Sequence, residues 1–259
     1  MKITIGADPE LFLENEKDFV SAIDRVGGSK QQPMPLGRDG FFVQEDNVAV
    51  EFNIPPAETM EQFVESIEWS IKALAETVKP QLLSLSKRAS AFFPASELAD
   101  PRAMMFGCDP DRNAWTGKFN PRPQASSKYL RSCGGHVHVG HDSKIPTPIF
   151  VKSMDLHLGV PSVLMDSDQT RRQLYGKAGA FRPTSYGFEY RTLSNFWLHS
   201  QATIKWVYEQ TVRAMNFVET LTSDVFSDTS LSHEIVEAIN TPNPELALRM
   251  CERYKLVTP

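Results

Sequence analysis

The sequence predicts an α+β fold built on a mainly antiparallel sheet. Three observations carry that reading. Runs of alternating apolar and polar residues recur at 2–14, 41–53 and 129–140, the period-two signature of strands with two unlike faces. The middle run divides into FFVQE and VAVEFN, separated by Asp46 and Asn47, a turn pair of the hairpin type. Apolar stripes at spacings of three and four fill 59–80 and most of the chain beyond Ser200.

In chain order, KITIGADPELFLE (Lys2 to Glu14) reads as a strand bent at Asp8 and Pro9, with Asp8 and Glu10 on one face. A Gly/Pro/Gln-rich loop from Gly27 to Gly40 leads into the hairpin, where Glu51 and Asn53 alternate with Val50 and Phe52. Thr59 and Gln62 fit a capping box, and Phe63, Ile67, Ile71, Leu74 and Val78 form one helical stripe ending at Pro80. Lys87 to Phe93 reads as a further strand, followed by an irregular stretch from Pro101 to Ser127 that contains FGCDPDRNAW, with Asp111, Trp115 and Lys128 read as loop residues near it. Tyr129 to Gly140 reads as a strand, Ile149 to Met165 as helix, the segment through Arg171 and Arg172 as a polar loop, and GFEYRTLSNFW as the last strand. Ile204, Val207, Met215, Val218 and Leu221 make a second helical stripe, and Asn243 with Pro244 is a cap and first-turn pair for a final helix.

The chain has 259 residues, 41% apolar and 23% charged, ordinary values that exclude a disordered or fibrous protein and predict one domain over 1–259. Cys108, Cys133 and Cys251 are odd in number and show no CxxC spacing, so neither a disulfide framework nor a zinc knuckle is indicated, and a reducing compartment fits. The start, Met1 to Gly6, is strand-like rather than a basic apolar leader, and no run of about 18 apolar residues exists. A cytoplasmic protein without a membrane partner is expected. The net charge of −5 argues against a nucleic-acid surface.

Four strand-like segments place chemistry-bearing groups at alternate positions: Asp8 and Glu10, Glu51 with Asn53, His136 and His138, Glu189 and Arg191. If these faces converge, the buried carboxylates repel one another at a cost of about several kcal/mol each, which divalent cations would remove. Carboxylates with few histidines suit hard Mg²⁺ or Mn²⁺ holding nucleotide phosphates better than zinc. Arg171, Arg172, Lys177, Arg182 and Arg191 fall within RRQLYGKAGAFRPTSYGFEYR and read as a polyphosphate clamp.

The motifs GADPELFL, DNVAVEFNIPPAET, FGCDPDRNAW, CGGHVHVGH and RRQLYGKAGAFRPTSYGFEYRTLSNFW, spread from residue 6 to residue 197, resemble in order and spacing the type-two carboxylate-amine ligases (amidoligases) of tailed phages. These lie within the glutamine synthetase and glutamate-cysteine ligase superfamily. The resemblance implies a glutamine synthetase-like catalytic fold, with helices packed on one side of the sheet and a polar active-site funnel on the other, where two or more Mg²⁺ ions hold ATP. By motif, it puts Asp8, Glu10, Glu51, His136 and Glu189 at metal positions, and His138, Arg182 and Arg191 at phosphate-contacting positions. Asp8 stands where better-known ligases carry glutamate, and Gln44 where a second acid is expected upstream of Glu51. Related ligases assemble into symmetric oligomers, so the resemblance also implies a homo-oligomer.

The expected reaction is attack of a substrate carboxylate on the γ-phosphate of ATP, then displacement of the acylphosphate by an amine. Arg182 and Arg191 would stabilise developing charge, and Glu51 or Asp46 would take the amine's proton. Small-molecule or peptide carboxylates and amines are the expected substrates. Two other readings stay open: a zinc metallohydrolase of an amide or phosphoester using both histidines, and a nucleotide-binding or virion-associated protein without turnover.

Overall fold

The computed structural model of the protein describes residues 1–104, 111–122, 125 and 127–259. Phe106 to Pro110 of the FGCDPDRNAW motif, Cys108 included, lie outside the described residues. The chain opens with β1 (Ile3–Ala7), β2 (Glu10–Glu14), β3 (Phe19–Val20) and β4 (Met34–Pro35). The hairpin β5 (Phe42–Asp46) and β6 (Ala49–Asn53) leads into helix α1 (Met60–Val78). Then come β7 (Ser84–Ser86), β8 (Ser90–Phe92), α2 (Pro101–Met104), β9 (Arg112–Asn113), β10 (Leu130–Ser132) and β11 (Val137–His141). Helices α3 (Thr147–Met154) and α4 (Val160–Met165) flank a π-turn at Asp155–Gly159. After α5 (Gln169–Leu174), β12 (Ala180–Pro183) and β13 (Gly187–Tyr190), the chain ends in α6 (Gln201–Thr220), α7 (Thr229–Asn240) and α8 (Pro244–Tyr254).

Two sheets form the frame, and every pairing in them is antiparallel. The first has the order β1-β11-β13-β12-β9, and the second β3-β2-β6-β5-β4 with β7 also on β2. The chain crosses between them at Asp8 and Pro9. Proline has no N–H to continue a ladder, so β1 stops at Ala7 and β2 starts at Glu10, while the Pro9 carbonyl still accepts from Phe52 N–H at 3.3 Å.

Alternation decides which face is buried. Ile5, Leu11, Val50, Phe52, Val137, Val139, Phe188 and Tyr190 point into one core with Phe63, Ile67 and Leu74 of α1, Phe150 and Met154 of α3, and Ile204 and Val207 of α6. Each large side chain withdrawn there contributes about 1.5–3 kcal/mol. The intervening residues Glu10, Glu51, His138 and Glu189 face away from these helices, in register across β2–β6 and β11–β13. Helices α7 and α8 close a second cluster with Val160 and Val163.

The expected caps are present. Thr59 accepts from Gln62 N–H and Gln62 answers, and Asn243 accepts from Leu246 N–H. Three expectations are corrected. The hairpin turn is Asn47–Val48, because Asn47 takes the positive φ of 58°, which asparagine tolerates, and Asp46 therefore stays in the strand. The Tyr129–Gly140 run divides into β10 and β11, with His136 in the break. Arg171 and Arg172 stand on α5, capped by Asp168 through Thr170 and Arg171 N–H; six residues are too few for a periodic signal.

The β10–β11 break is tightly enclosed. A Cβ on Gly135 would lie 2.3 Å from the Ser194 carbonyl and 2.4 Å from Trp197 Nε1, whose N–H donates to the Gly135 carbonyl at 3.1 Å. Gly135→Ala is therefore expected to cost about 1–3 kcal/mol and to lower the thermal midpoint by several degrees. An unchanged midpoint would mean that this contact yields freely. Among the described residues no helix is long and apolar enough to cross a membrane.

Candidate active site

Each sheet contributes one cluster of potential ligands to the same polar face. On the first sheet, ligand atoms of Asp8, His138 and Glu189 lie within 4.8 Å of one another, and on the second so do those of Glu10, Asp46 and Glu51. Register explains both clusters. His138 pairs with Glu189 across β11–β13 and Gly6 with His138 across β1–β11, which brings the end of β1 beside the imidazole. Glu10 pairs with Glu51 across β2–β6. Gln44 pairs with Glu51 across β5–β6, and Asp46 follows two positions further along the same face of β5.

His136 joins the first cluster from the break before β11. Its Nδ1 lies 3.3 Å from Glu189 Oε1 and 3.4 Å from Asp8 Oδ1, while His138 Nε2 lies 3.0 Å from Asp8 Oδ1. The Tyr186 hydroxyl, 2.6 Å from His138 Nδ1, orients that ring. In the second cluster Glu10 Oε2 accepts from Gly134 N–H at 2.7 Å, and Glu51 Oε1 accepts from the Gln44 amide at 2.8 Å. Lys30 Nζ stands 2.8 Å from Asp46 Oδ2.

The two clusters differ in charge balance. Burial opposes ionisation of Asp8, yet His138 and His136 outweigh it and hold the carboxyl below its usual range. For His138 burial is likewise outweighed, by Asp8 and Glu189, and its pKa is raised. In the second cluster the nearby cations, Lys30 beside Asp46 among them, do not offset burial and mutual repulsion. Burial, then Asp8, Asp46 and Glu10, push the Glu51 carboxyl well above its usual range, and burial with Asp46 raises Glu10 despite His136. Repelling carboxylates with free lone pairs and no thiolate among them fit a hard divalent cation, Mg²⁺ or Mn²⁺.

A cavity of about 390 Å³ opens on both clusters, lined by Asp8, Glu10, Asp46, Glu51, Arg182 and Arg191 among others. A smaller one, about 70 Å³, lies behind Glu10 and is lined by Phe12, Leu130, Arg171, Tyr175 and Arg191, with His136 on the shared wall. Arg182 Nη1 is 3.3 Å from Glu189 Oε2, and Arg191 contacts Glu189 Oε1 while its Nε lies 2.7 Å from Asp111 Oδ1.

The five cations read as one clamp are thus divided. Arg182 and Arg191 face the large cavity and Arg171 the small one. Arg172 is buried elsewhere, donating to Ser162 Oγ at 2.8 Å and lying 3.5 Å from Asp166 Oδ2. Lys177, half-buried, lines neither cavity. Adjacent helical residues point about 100° apart, so Arg171 and Arg172 cannot both serve one site. Sequence reasoning missed Asp46 as a cluster member, because Asp beside Asn reads as a turn; an acid two residues after Gln44 on the same strand face was the available signal. It also missed Lys30, within a loop, and offered Asp111 only as a weaker candidate for substrate contact, whereas it pairs with Arg191.

The comparisons with known proteins bear on this arrangement. Residues 124–240 match the family model of the phage phiEco32-like COOH.NH2 ligase, type 2, and the resemblance drawn from the motifs holds on that segment, which includes both histidines, Arg182, Glu189 and Arg191. No curated protein matches the sequence. Among solved structures, a glutamine synthase homolog is similar with a TM-score of 0.38 and 11% identity over 97% of this chain, and a GmaS/ADP complex with a TM-score of 0.45 and 11% identity over 99%. The chain spans 66% and 71% of the length of those two chains.

Proposed function

We propose that this chain, similar over residues 124–240 to the phage phiEco32-like COOH.NH2 ligases of type 2, is a carboxylate-amine ligase using ATP and magnesium. The observation that carries the reading is the pair of three-ligand clusters on one polar face, one from each sheet, with two arginines against the first. Asp8, His138 and Glu189, with His136 beside them, would hold one ion, and Glu10, Asp46 and Glu51 the other. Bound Mg-ATP would supply the phosphoryl group that activates a carboxylate as an acylphosphate.

The rest is the chain's own work. Arg182 and Arg191 neutralise charge beside Glu189, where phosphoryl oxygens would sit. Arg171, buried at the smaller cavity with its Nε unpartnered, offers a fixed planar donor for a substrate carboxylate rather than a nucleotide phosphate. Glu51 or Asp46, both on the wall of the large cavity, would take the amine's proton. The protein holds reactants in register and removes them from water.

The test is phosphate release from Mg-ATP across a panel of small carboxylates and amines. Release that requires both an acid and an amine is the expected result. Cleavage of an amide or phosphoester with zinc and no nucleotide would overturn the reading in favour of hydrolysis.

A further inference from the structure

We propose that Asp155 is a positioning residue for Arg191 and Arg182, one buried carboxylate tying together the chain segments that place both guanidinium groups. The proposal rests on the ligase reading for its functional consequence, while its geometry stands independently. Asp155 opens the π-turn between α3 and α4 and is fully buried. Its Oδ1 accepts from the Tyr190 hydroxyl at 2.8 Å and from Thr192 Oγ1 at 3.2 Å. Its Oδ2 accepts from Trp115 Nε1 and from Gly179 N–H, both at 2.6 Å.

Each of these donors belongs to a segment that serves the site. Tyr190 and Thr192 flank Arg191 in the chain. Gly179 immediately precedes β12, which carries Arg182 opposite Glu189. Trp115 stands on the loop that brings Asp111 to Arg191 Nε, and Lys152 of α3 covers the Trp115 ring at 5.2 Å from its centroid. Asp155 touches neither cavity, so it acts only through these segments.

The surroundings are shaped around this junction. A Cβ on Gly159 would lie 2.9 Å from the Tyr190 hydroxyl, and one on Gly179, whose φ is 75°, would lie 2.6 Å from Trp115 Cδ1. The π-turn widens the helix where the carboxylate must reach four donors at once, and such turns recur at functional sites. Burial raises the Asp155 carboxyl to about 6, against the four hydrogen bonds to its oxygens that favour the ionised acceptor. A core position filled only for packing has no need of a charged group.

The experiment compares Asp155→Ala, Asp155→Asn and Tyr190→Phe, each alone, combined with Arg191→Ala, and combined with both Arg191→Ala and Arg182→Ala. Asparagine can keep all four bonds: its oxygen accepts from Trp115 and Gly179, and its amide donates to the two hydroxyls, which accept as readily as they donate. Binding of Mg²⁺ with a non-hydrolysable ATP analogue should weaken about 10- to 100-fold in Asp155→Ala, less in Tyr190→Phe, and no more than about threefold in Asp155→Asn. The three should weaken binding less once Arg191 is alanine, the remainder passing through Arg182, and no further once both arginines are alanine. Losses that still multiply with both arginines removed, or an Asp155→Asn variant as weak as Asp155→Ala, would overturn the proposal. Amide exchange supplies a reading that needs no nucleotide: Asp155→Ala should speed exchange in both 111–117 and 187–194, with asparagine restoring it, and unaltered exchange would overturn the proposal. Wild-type protein that binds no nucleotide would instead count against the ligase reading, with exchange still deciding the role of Asp155.

Discussion

Glu189→Gln is expected to abolish magnesium-dependent nucleotide binding, by about a hundredfold or more, while leaving the protein folded. Glu189 belongs to the first ligand cluster and also contacts His136, Arg182 and Arg191, so the amide removes a ligand charge and withdraws that anion from both guanidinium groups, of which Arg191 still pairs with Asp111. The drop in affinity comes from the lost ligand charge: removing even an outer-shell partner of a metal ligand costs about 10- to 100-fold in metal affinity, and a directly ligating carboxylate should cost at least as much. His136→Ala should behave alike. Calorimetric titration with Mg²⁺ and a non-hydrolysable ATP analogue measures the loss, and circular dichroism confirms the fold. Unchanged affinity in both variants would count decisively against a metal-nucleotide site here.

Glu51→Gln should move stability and binding in opposite directions. The Glu51 carboxyl is pushed well above its ordinary range by burial and by Asp8, Asp46 and Glu10. A carboxyl whose pKa is raised on folding contributes stability fully present below its unfolded pKa and lost as pH rises through the folded one. Glu10 and His138, also raised, act in the same sense, whereas Asp8, lowered, loses its contribution only at acid pH. The metal-free protein should therefore melt at progressively lower temperature between about pH 5 and pH 8. Saturating Mg²⁺ should raise the midpoint, and more at pH 8 than at pH 5.5, because protons compete for the ligands. Glu51→Gln should flatten the pH profile, stabilise the metal-free protein by about 1 kcal/mol or more, and weaken Mg²⁺ binding at least about tenfold. A variant less stable than wild type at pH 8 without metal would show that Glu51 is already compensated.

How much of this was legible in the sequence follows from where the signal resides. Glu10, Glu51, His138 and Glu189 sit on apolar strands, and Asp8 and His136 continue the period-two alternation just outside strand ends; a polar side chain repeated in an otherwise apolar run is conspicuous before any fold is known. Thr59 with Gln62 and Asn243 with Pro244 were readable because caps are local. Asp46 was misread because its neighbour Asn47 takes the strained turn position, and one residue of displacement changes a turn group into a ligand. The split among Arg171, Arg172 and Lys177 was invisible because a run of cations records charge but not direction. Asp155 was hidden for a deeper reason: its four donors come from 40 residues before it to 37 after it, and no local pattern reports such a meeting.

Pro9 also acts as a yardstick. Asp8 belongs to one cluster and Glu10 to the other, and two residues of extended chain span at most about 7 Å, so one tripeptide would tether two bound cations to each other alongside the docking of the two sheets. Breathing of one sheet against the other could then distort either coordination shell while barely changing the interval across which a phosphate would have to reach.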